Sequence, residues 1–235
     1  MACEKKTVCA IILAAGVGSR MQSSITKQRM MLGNMTLIKR TVSAFEKCDR
    51  INHIIVAVRE DEIDFVKSEI DEYKKVVKII VGGKNRAESA KIAFRNIPIG
   101  TDFVAIHDGA RAMITPTDIS AVVDRAMKTN AATAAVKVVD TVKRVDADGR
   151  VIATVERNCL MRAATPQAFK VELYRDAVNA YTGDLSLITD DNMLVELYGE
   201  NVYCVETSDE NIKITTQSDL KFAEFILDKR GEWNV

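Results

Sequence analysis

The sequence predicts an α/β fold in which a mainly parallel sheet carries helices on both faces. Apolar runs of strand length alternate with helical patterns along most of the 235 residues, which is typical of βαβ units. The runs are mainly apolar, as expected for buried strands. Only three prolines occur, and no stretch resembles a linker. Residues 1–235 are therefore predicted to form one Rossmann-like domain.

Six apolar runs predict strands, at Val8–Leu13, His53–Val58, Val76–Val81, Phe103–Ile106, Ala131–Val139 and Val202–Val205. Between them, four segments predict helices, at Thr36–Lys47, Glu62–Lys74, Arg86–Asn96 and Pro116–Lys128. A last helix is predicted to begin near Thr216, because Asp219 stands three residues after this capping threonine. In such sheets ligands bind beyond the carboxyl ends of the strands.

A β-hairpin arm is predicted at about residues 137–159, where the alternation of strands and helices stops. Two strand-like runs, 137–146 and 151–155, flank Asp148-Gly149, which is a strong hairpin signal. A lone hairpin is marginally stable in water. The arm is therefore expected to pack on something else, and a second subunit is one candidate.

Composition excludes several classes of protein. The chain has 33 basic and 33 acidic side chains, so bulk attraction to nucleic acid or an anionic membrane is not expected, and any positive site must be local. No run approaches the ~20 apolar residues that span a bilayer. The five cysteines are scattered, which favours a reducing compartment and a cytoplasmic location. Cys9 and Cys204 lie in apolar runs and are predicted to be buried.

The first predicted strand leads into a glycine loop and two spaced cations. Ala14, Ala15 and Gly16 follow the strand, Gly18 and Ser19 continue the loop, and Arg20 and Lys27 add positive charge. Glycines let backbone N–H groups face an anion, so the segment suggests a triphosphate site. It lacks the third glycine of a dinucleotide fingerprint and the Gly-Lys-Ser/Thr of a P-loop. A tight turn with two solvated cations is the alternative.

Two further segments follow predicted strands and are expected on the same rim. Gly82-Gly83 leads into a helix, and its backbone with the Ser89 hydroxyl could read a base edge or form a simple loop and cap. Asp108 could hold Mg²⁺, a cation that prefers oxygen ligands, or could cap a turn. Its neighbour His107 is predicted to be a partly buried structural histidine.

The motifs that are missing also point to a class of reaction. Gly-x-Ser-x-Gly, His-Glu-x-x-His and a cysteine–histidine pair do not occur in the sequence. A reaction that needs charge stabilisation and positioning is therefore expected, which describes phosphoryl and nucleotidyl transfer. A phosphate monoester, whose second pKa is ~6, is largely dianionic at pH 7 and needs no general base.

The chain resembles the family of 2-C-methyl-D-erythritol 4-phosphate cytidylyltransferases. The resemblance rests on an ordered set of motifs spanning nearly the whole chain: Leu13-Ala-Ala-Gly-x-Gly-Ser-Arg-Met21 with Lys27, Gly82-Gly-x-x-Arg-x-x-Ser89, His107-Asp-Gly-Ala-Arg111, Asp140-Thr-x-Lys143, Arg157-Asn, Thr165-Pro-Gln-x-Phe169, Thr189-Asp-Asp191 and Asn211-Ile-Lys213. It implies transfer of CMP from CTP to the polyol phosphate, a divalent metal such as Mg²⁺, and a homodimer that exchanges its arms.

The resemblance also implies roles for individual residues. The residues implied to hold the nucleotide are Ala14, Ala15, Gly16, Gly18, Ser19, Gly83, Ser89 and Gly109. Those implied to be catalytic, neutralising the phosphates around the transferring phosphorus, are Arg20, Lys27 and Lys213. Those implied to bind the polyol phosphate are Arg111, Thr141, Arg157 and Thr165, with Thr141 and Arg157 serving the other subunit's site. Asp108 is implied to lie beside the metal and the ribose of the substrate.

Some positions depart from the family's usual residues, namely Thr26, Arg29, Ala112, Lys137, Met161 and Arg162.

Three functions are alternatives to the one that the resemblance implies. Ribitol 5-phosphate cytidylyltransferases tend to carry Ala-Gly-Gly in the first loop, unlike Ala14-Ala15-Gly16. A catalytically silent paralogue should have lost a phosphate cation, yet Arg20, Lys27 and Lys213 are present. A dehydrogenase that uses NAD lacks support because its third glycine and ribose-binding acid are missing.

Overall fold

A seven-stranded sheet runs through the centre of the computed structural model, which describes residues 6–16 and 26–233. Its strands, in spatial order, are β11 (Tyr203–Glu206), β7 (Ala131–Lys137), β10 (Met161–Lys170), β6 (Phe103–Asp108), β1 (Val8–Leu13), β4 (His53–Val58) and β5 (Val76–Val81). β10 is antiparallel to both of its neighbours, and the other pairs are parallel. The predicted mainly parallel sheet is confirmed.

Helices cover both faces of this sheet, as predicted. The helices are α1 (Leu37–Glu46), α2 (Ile63–Ile70), α3 (Arg86–Phe94), α4 (Pro116–Thr129), α5 (Val171–Ala180), α6 (Asp191–Leu197) and α7 (Gln217–Arg230). One apolar core joins the sheet to α1, α2 and α4, and a second joins its other face to α3, α5 and α6. α7 packs in a smaller third cluster.

Strand β1 shows how the sequence builds two cores. All six of its residues are buried. Successive side chains of a strand point to opposite faces, so Val8, Ala10 and Ile12 enter the core with α1, while Cys9 and Ile11 enter the core with α3. Burial on both faces explains why this segment is continuously apolar.

The predicted helix starts are confirmed at the caps. Thr216 caps α7, and the side chain of Asp219 accepts from the Thr216 backbone N–H at 2.8 Å, which completes a capping box. Thr115 caps α4, with Pro116 in the first turn. These local signals lie within single turns, so the sequence alone reveals them.

Strand β10 is the strand of the central sheet that no apolar run predicted, and it contains the motif residues Thr165, Pro166 and Gln167. These three residues lie within the strand, although the pairing with β7 shifts register between Ala163 and Gln167. Proline cannot donate to a sheet ladder and is tolerated where pairing is irregular. The segment contains arginine, threonine, proline and glutamine, so it has no apolar run that would reveal a strand.

Two other predictions, on the length of β7 and on the burial of Cys204, are wrong. Ala131–Val139 was expected as one strand, but β7 ends at Lys137. Cys204 was expected to be buried and is exposed, because β11 lies at an edge of the sheet and pairs only with β7. Cys9 is buried as predicted, and the four described cysteines are free.

The arm forms as predicted. Strands β8 (Lys143–Val145) and β9 (Val151–Thr154) pair with each other as a separate antiparallel sheet. Gly149 in their connection has a φ of +82°, a conformation that favours glycine. A second short sheet, β2 (Met31–Leu32) with β3 (Met35–Thr36), precedes α1. Among the described residues, no helix is long and apolar enough to cross a membrane.

Candidate active site

A cavity opens at the carboxyl ends of β1, β5 and β6, on the rim that the sequence predicted. The predicted site residues that line it are Ala15, Gly16, Lys27, Gly83, Ser89, Asp108 and Lys213. Segments that are distant in sequence thus meet at one place. Each follows or ends a strand, apart from Lys27, which begins a 3₁₀ turn, and Lys213, which precedes α7.

The described part of the first loop is held by its neighbours. Ala14 N–H donates to Ala57 O on β4 at 2.7 Å. The buried side chain of Gln28 donates from Nε2 to Ala14 O at 3.1 Å, so the segment after the loop ties back to its start. Lys27 lies next to Gln28 and lines the cavity. The predicted residues Gly18, Ser19 and Arg20 lie outside the described residues.

The second loop lies tightly against the first. A Cβ atom on Gly82 would lie 2.6 Å from Ala15 Cβ and 2.9 Å from Ser89 Oγ, so only glycine fits there. Ser89 Oγ accepts from Gly83 N–H at 2.9 Å and donates to Asn85 O at 2.8 Å. The Ser89 hydroxyl, for which the sequence left open a base-reading role or a simple loop and cap, fixes the backbone of the loop that lines the cavity.

Gly109 brings the end of β6 equally close to β1. Its N–H donates to Leu13 O at 2.8 Å, and an added Cβ would lie 3.1 Å from the same oxygen. The Thr41 hydroxyl donates to Gly109 O at 3.0 Å. The predicted nucleotide residue Gly109 thus joins the two strand ends that carry the cavity.

Asp108 lies at the centre of a charged cluster. Its carboxylate is 2.9 Å from Arg86 Nε, 2.8 Å from Lys213 Nζ and 3.7 Å from Arg111 Nε. Burial by itself would raise the pKa of Asp108, but the charges of Arg86 and Lys213 outweigh it and hold the pKa well below its ordinary range. Asp108 is therefore a permanent anion that keeps Lys213 at the cavity.

His107 and Thr165 fix the position of Asp108. His107 is completely buried, and its Nε2 lies 3.2 Å from Arg111 O. A carbonyl oxygen only accepts, so Nε2 carries the proton and Nδ1 accepts from the Thr165 hydroxyl at 3.0 Å. Thr165 Oγ1 in turn accepts from Asp108 N–H at 3.0 Å. Burial lowers the pKa of His107 to about 3, so it is neutral and structural, as predicted.

The predicted acceptor residues divide into two groups. Arg111 and Thr165 lie near Asp108, and Arg111 also donates to Asn211 O at 2.8 Å. Thr141 and Arg157 belong to the exposed arm region and do not line the cavity of their own chain. Arg157 Nη1 instead donates to Val139 O at 2.6 Å.

Three residues at this site had no assigned role from the sequence. Gln28 holds the first loop, and Arg86 connects Asp108 to Asp191, whose Oδ2 lies 2.6 Å from Arg86 Nη1. Arg86 and Asp191 stand inside quoted motifs, but their pairing joins positions 105 residues apart. Only the three-dimensional arrangement reveals that contact.

One departure from the family pattern has a clear structural setting. Arg29 Nε lies 3.0 Å from Glu62 Oε2, and its guanidinium carbon lies 4.3 Å from the centroid of the Phe65 ring. The arginine thus packs on a ring and also pairs with a buried carboxylate. An aromatic side chain at this position could pack on the ring but could not form the ion pair.

The residues present fit a metal that is bound largely by its substrate. Among residues 6–16 and 26–233, no group of three histidine, cysteine, aspartate or glutamate side chains could hold an ion. Asp108 offers one carboxylate at the cavity, and it already faces three cations. Mg²⁺ is commonly held by one or two carboxylates together with substrate phosphates, so Asp108 would be the protein's contribution.

The sheet, the glycine loops at its carboxyl edge and the lysines around their cavity define the class of protein, an α/β nucleotidyltransferase. Sequence comparison specifies it further. The chain belongs to the family described as IspD, 2-C-methyl-D-erythritol 4-phosphate cytidylyltransferase, whose profile matches residues 8–229.

Individual relatives agree with this membership. The chain is 39% identical over 219 residues to a 2-C-methyl-D-erythritol 4-phosphate cytidylyltransferase of Clostridium perfringens, covering 92% of this chain and 97% of the relative. It is 40% identical over 228 residues to the protein of that name from Clostridioides difficile, covering 95% and 96%. A solved 4-diphosphocytidyl-2C-methyl-D-erythritol synthase from Anaerococcus prevotii superposes with a TM-score of 0.84 at 29% identity, over 96% and 97% of the two chains.

Proposed function

We propose that this protein transfers CMP from CTP to 2-C-methyl-D-erythritol 4-phosphate, giving CDP-methylerythritol and pyrophosphate in non-mevalonate isoprenoid biosynthesis. The observation that carries the proposal is the meeting of Lys27, Lys213 and the two glycine loops around one cavity. A triphosphate needs cations and backbone N–H groups at a strand edge, and membership of the family specifies the nucleotide and the acceptor.

The reaction requires no proton abstraction. The acceptor phosphate is largely dianionic at pH 7, so one of its oxygens attacks the α-phosphorus of CTP directly while the bond to pyrophosphate breaks. Negative charge accumulates on the oxygens around that phosphorus. Lys27 and Lys213 line the cavity, and Arg20 is predicted to join them. Fixed cations of this kind stabilise the transition state without reorganising during the reaction.

Asp108 contributes by holding the cations in place. Its contact with Lys213 Nζ at 2.8 Å sets this lysine at the cavity before substrate arrives. The same carboxylate lies near Arg111, which would bind the acceptor phosphate together with Thr165. In the proposed complex, both cations turn from Asp108 to phosphate oxygens, which repel the aspartate and attract the cations.

We propose that Mg²⁺ takes part, bound by triphosphate oxygens and by Asp108. When bound, the ion would neutralise phosphate charge and favour a single arrangement of the triphosphate. The protein's own share is the carboxylate at the cavity. Isothermal titration of CTP with and without Mg²⁺ tests the proposal. Tighter binding with the metal in wild-type protein, reduced in Asp108→Asn, is expected. Equal affinities with and without Mg²⁺ would contradict it.

We further propose a homodimer formed through the arm. Four of its apolar side chains are at least half exposed, namely Val139, Val145, Val151 and Ile152. Exposed apolar surface of this kind is typical of an interface. Arms exchanged between two copies would cover these side chains and would bring Thr141 and Arg157 to the other copy's site.

The remaining expectations concern partners and location. The balanced charge supports small phosphorylated substrates rather than nucleic acid as ligands. The four described free cysteines support a reducing compartment, and a cytoplasmic location remains a proposal.

A nucleotide panel tests the proposed activity. Purified protein with 2-C-methyl-D-erythritol 4-phosphate and Mg²⁺ is given CTP, UTP, ATP or GTP in turn, and pyrophosphate release is measured. Release with CTP that is at least about tenfold faster than with the others is expected, because a base pocket built from hydrogen bonds rejects bases that leave its groups unpaired. Absence of release with CTP would refute the proposal.

A further inference from the structure

A buried chain of charges extends from Asp108 away from the cavity. Arg86 lies between two carboxylates, with Nε 2.9 Å from Asp108 Oδ1 and Nη1 2.6 Å from Asp191 Oδ2. The three residues stand at the ends of different elements: Arg86 begins α3, Asp108 ends β6 and Asp191 begins α6. The contact therefore joins two helices and the central strand directly behind the catalytic cavity.

Asp191 is completely buried and has one defined orientation. Its Oδ1 accepts from the Tyr174 hydroxyl at 2.5 Å, and its Oδ2 accepts from Arg86. Its backbone N–H donates to Gln167 Oε1 at 2.9 Å. With both carboxylate oxygens and the backbone fixed, Asp191 in turn restricts the guanidinium of Arg86 to a single position.

Stability alone is a weak reason for this arrangement. Replacing a buried ion pair with apolar residues of similar volume is often neutral or even stabilising. Arg86 nevertheless lines the cavity, and its Nη2 is buried without a hydrogen-bond partner among the described residues. The pair is therefore better explained by what it positions.

The cations around Asp108 differ in how freely they can move. Lys213 is 43% exposed on its side chain and can turn toward a phosphate, whereas Arg86 is held by Asp191 and is 23% exposed. When Lys213 and Arg111 turn to substrate, Arg86 is the side chain that stays with Asp108, beside the Mg²⁺ ion proposed above. Without Arg86, more of the Asp108 charge would be left to compete with the phosphates for Lys213.

We infer that Asp191 is a positioning residue for nucleotidyl transfer: by holding Arg86 against Asp108, it keeps Lys213 and Arg111 set for the substrate phosphates. This inference rests on the proposed function, since it concerns the same cavity. Asp191 itself touches no substrate in this account. Asp191 acts on Lys213 and Arg111 only through Arg86. The loss of activity on substituting Asp191 should therefore depend on whether Arg86 is present.

The first test compares Asp191 with a carboxylate outside the network. Asp191→Asn should lower kcat about 10–100-fold, because small misplacements of phosphate-binding groups are expensive. The dissociation constant for CTP should stay within about threefold, because the glycine loops and Lys27 are unchanged. Asp118→Asn, which changes a carboxylate that accepts from the Thr115 hydroxyl at the start of α4 and does not line the cavity, is the control. It should leave kcat within about twofold of wild type.

A double-mutant cycle tests whether Asp191 acts through Arg86. Arg86→Gln should lose activity to a similar degree, and adding Asp191→Asn to it should cost less than about a further twofold. A purely structural role would instead make the two losses multiply. If Asp191→Asn proves too unstable to assay, the double variant, in which Asp108 still faces Lys213 and Arg111, serves in its place, with the same loss of kcat expected.

The outcomes separate this inference from the proposed function. An active wild-type protein together with a fully active Asp191→Asn variant would overturn the inference alone. Losses that multiply in the double variant would also overturn it. If wild-type protein releases no pyrophosphate from CTP with any polyol phosphate, the proposed function fails and the inference falls with it.

Discussion

The proposed role of Lys27 can be tested directly by substitution. This lysine begins the 3₁₀ turn Lys27–Arg29 and lines the cavity beside the first glycine loop. In the proposed transfer it stabilises charge on the triphosphate. A role of this kind concerns the transition state, so its loss should affect turnover much more than folding.

We expect Lys27→Ala to lower kcat by ~10²–10³ while the circular dichroism spectrum stays unchanged. Pyrophosphate release under saturating CTP measures the effect. Lys128→Ala, which removes an exposed lysine from the last turn of α4, is the matched control and should retain full activity. Near-normal turnover of Lys27→Ala would remove this residue from the catalytic group.

His107 gives the protein a predictable dependence of stability on pH. Its pKa falls from an ordinary 6.5 to about 3 in the folded protein because of burial. Between these values the unfolded chain binds one proton more than the folded chain, so acid favours unfolding. The stability linked to His107 is complete above pH 6.5 and is lost progressively as the pH falls toward 3.

We therefore expect the unfolding free energy of wild-type protein to drop by about 1 kcal/mol between pH 6 and pH 5 from His107 alone. Urea titrations at the two pH values measure it. His107→Gln should remove this part of the slope, whatever its effect on stability at pH 7. An unchanged slope in His107→Gln would contradict the account.

At the scale of secondary-structure elements, the proposed exchange of arms would make two chains contribute to each active site. β8 and β9 pair only with each other, and the arm leaves several apolar side chains exposed. Arg157 lies in this region, away from the cavity of its own chain. Exchange of arms would account for both facts.

Mixing two inactive variants tests that exchange. Lys27→Ala and Arg157→Ala homodimers should each have low activity, whereas co-expression should give heterodimers with one intact site. A random mixture should then recover about a quarter of wild-type activity, because half of the dimers carry one good site in two. Mixing each variant with itself is the control. Recovery that is absent although heterodimers form would rule out shared sites.

The elements also show what the sequence could and could not reveal. The strands β1, β4 and β5 match their predicted bounds because each is a mainly apolar run; β1 and most of β4 are buried, whereas β5 at the edge of the sheet is partly exposed. The caps of α4 and α7 follow from residues within one turn. β10 was not predicted because its pairing partners, rather than its own apolar content, make it a strand. Tertiary pairing of this kind leaves no local pattern.

The candidate active site shows the same difference between features that local sequence reveals and features that depend on tertiary contacts. The glycine loops, Lys27, Asp108 and Lys213 were predicted from motifs and meet at one cavity. The contact of Arg86 with Asp191 was not predicted, because it connects residues from separate motifs. The hydroxyls of Thr165 and Ser89 hold backbone in place, and the ligand-binding roles that the resemblance implies for these residues stay predictions. Sequence motifs thus locate functional segments more readily than they assign tasks within them.

At the scale of the whole molecule, the net charge is zero, and the cations of the proposed site form one local cluster near the cavity. The chain carries no overall field to attract a triphosphate, so in the proposed complex the attraction comes from Lys27 and Lys213 at the cavity. The two apolar cores on opposite faces of the sheet fix the strand ends that carry these groups. The fold thus positions the charged groups at the cavity. Which product forms depends on which polyol phosphate accepts the CMP group.

A competition between two acceptors tests this account most directly. The protein is given CTP and Mg²⁺ with equal concentrations of 2-C-methyl-D-erythritol 4-phosphate and ribitol 5-phosphate, and the two CDP-polyols are quantified by mass spectrometry. The account predicts CDP-methylerythritol as the main product, with one pyrophosphate released for each molecule formed. A clear excess of CDP-ribitol, or pyrophosphate release without either product, would contradict it.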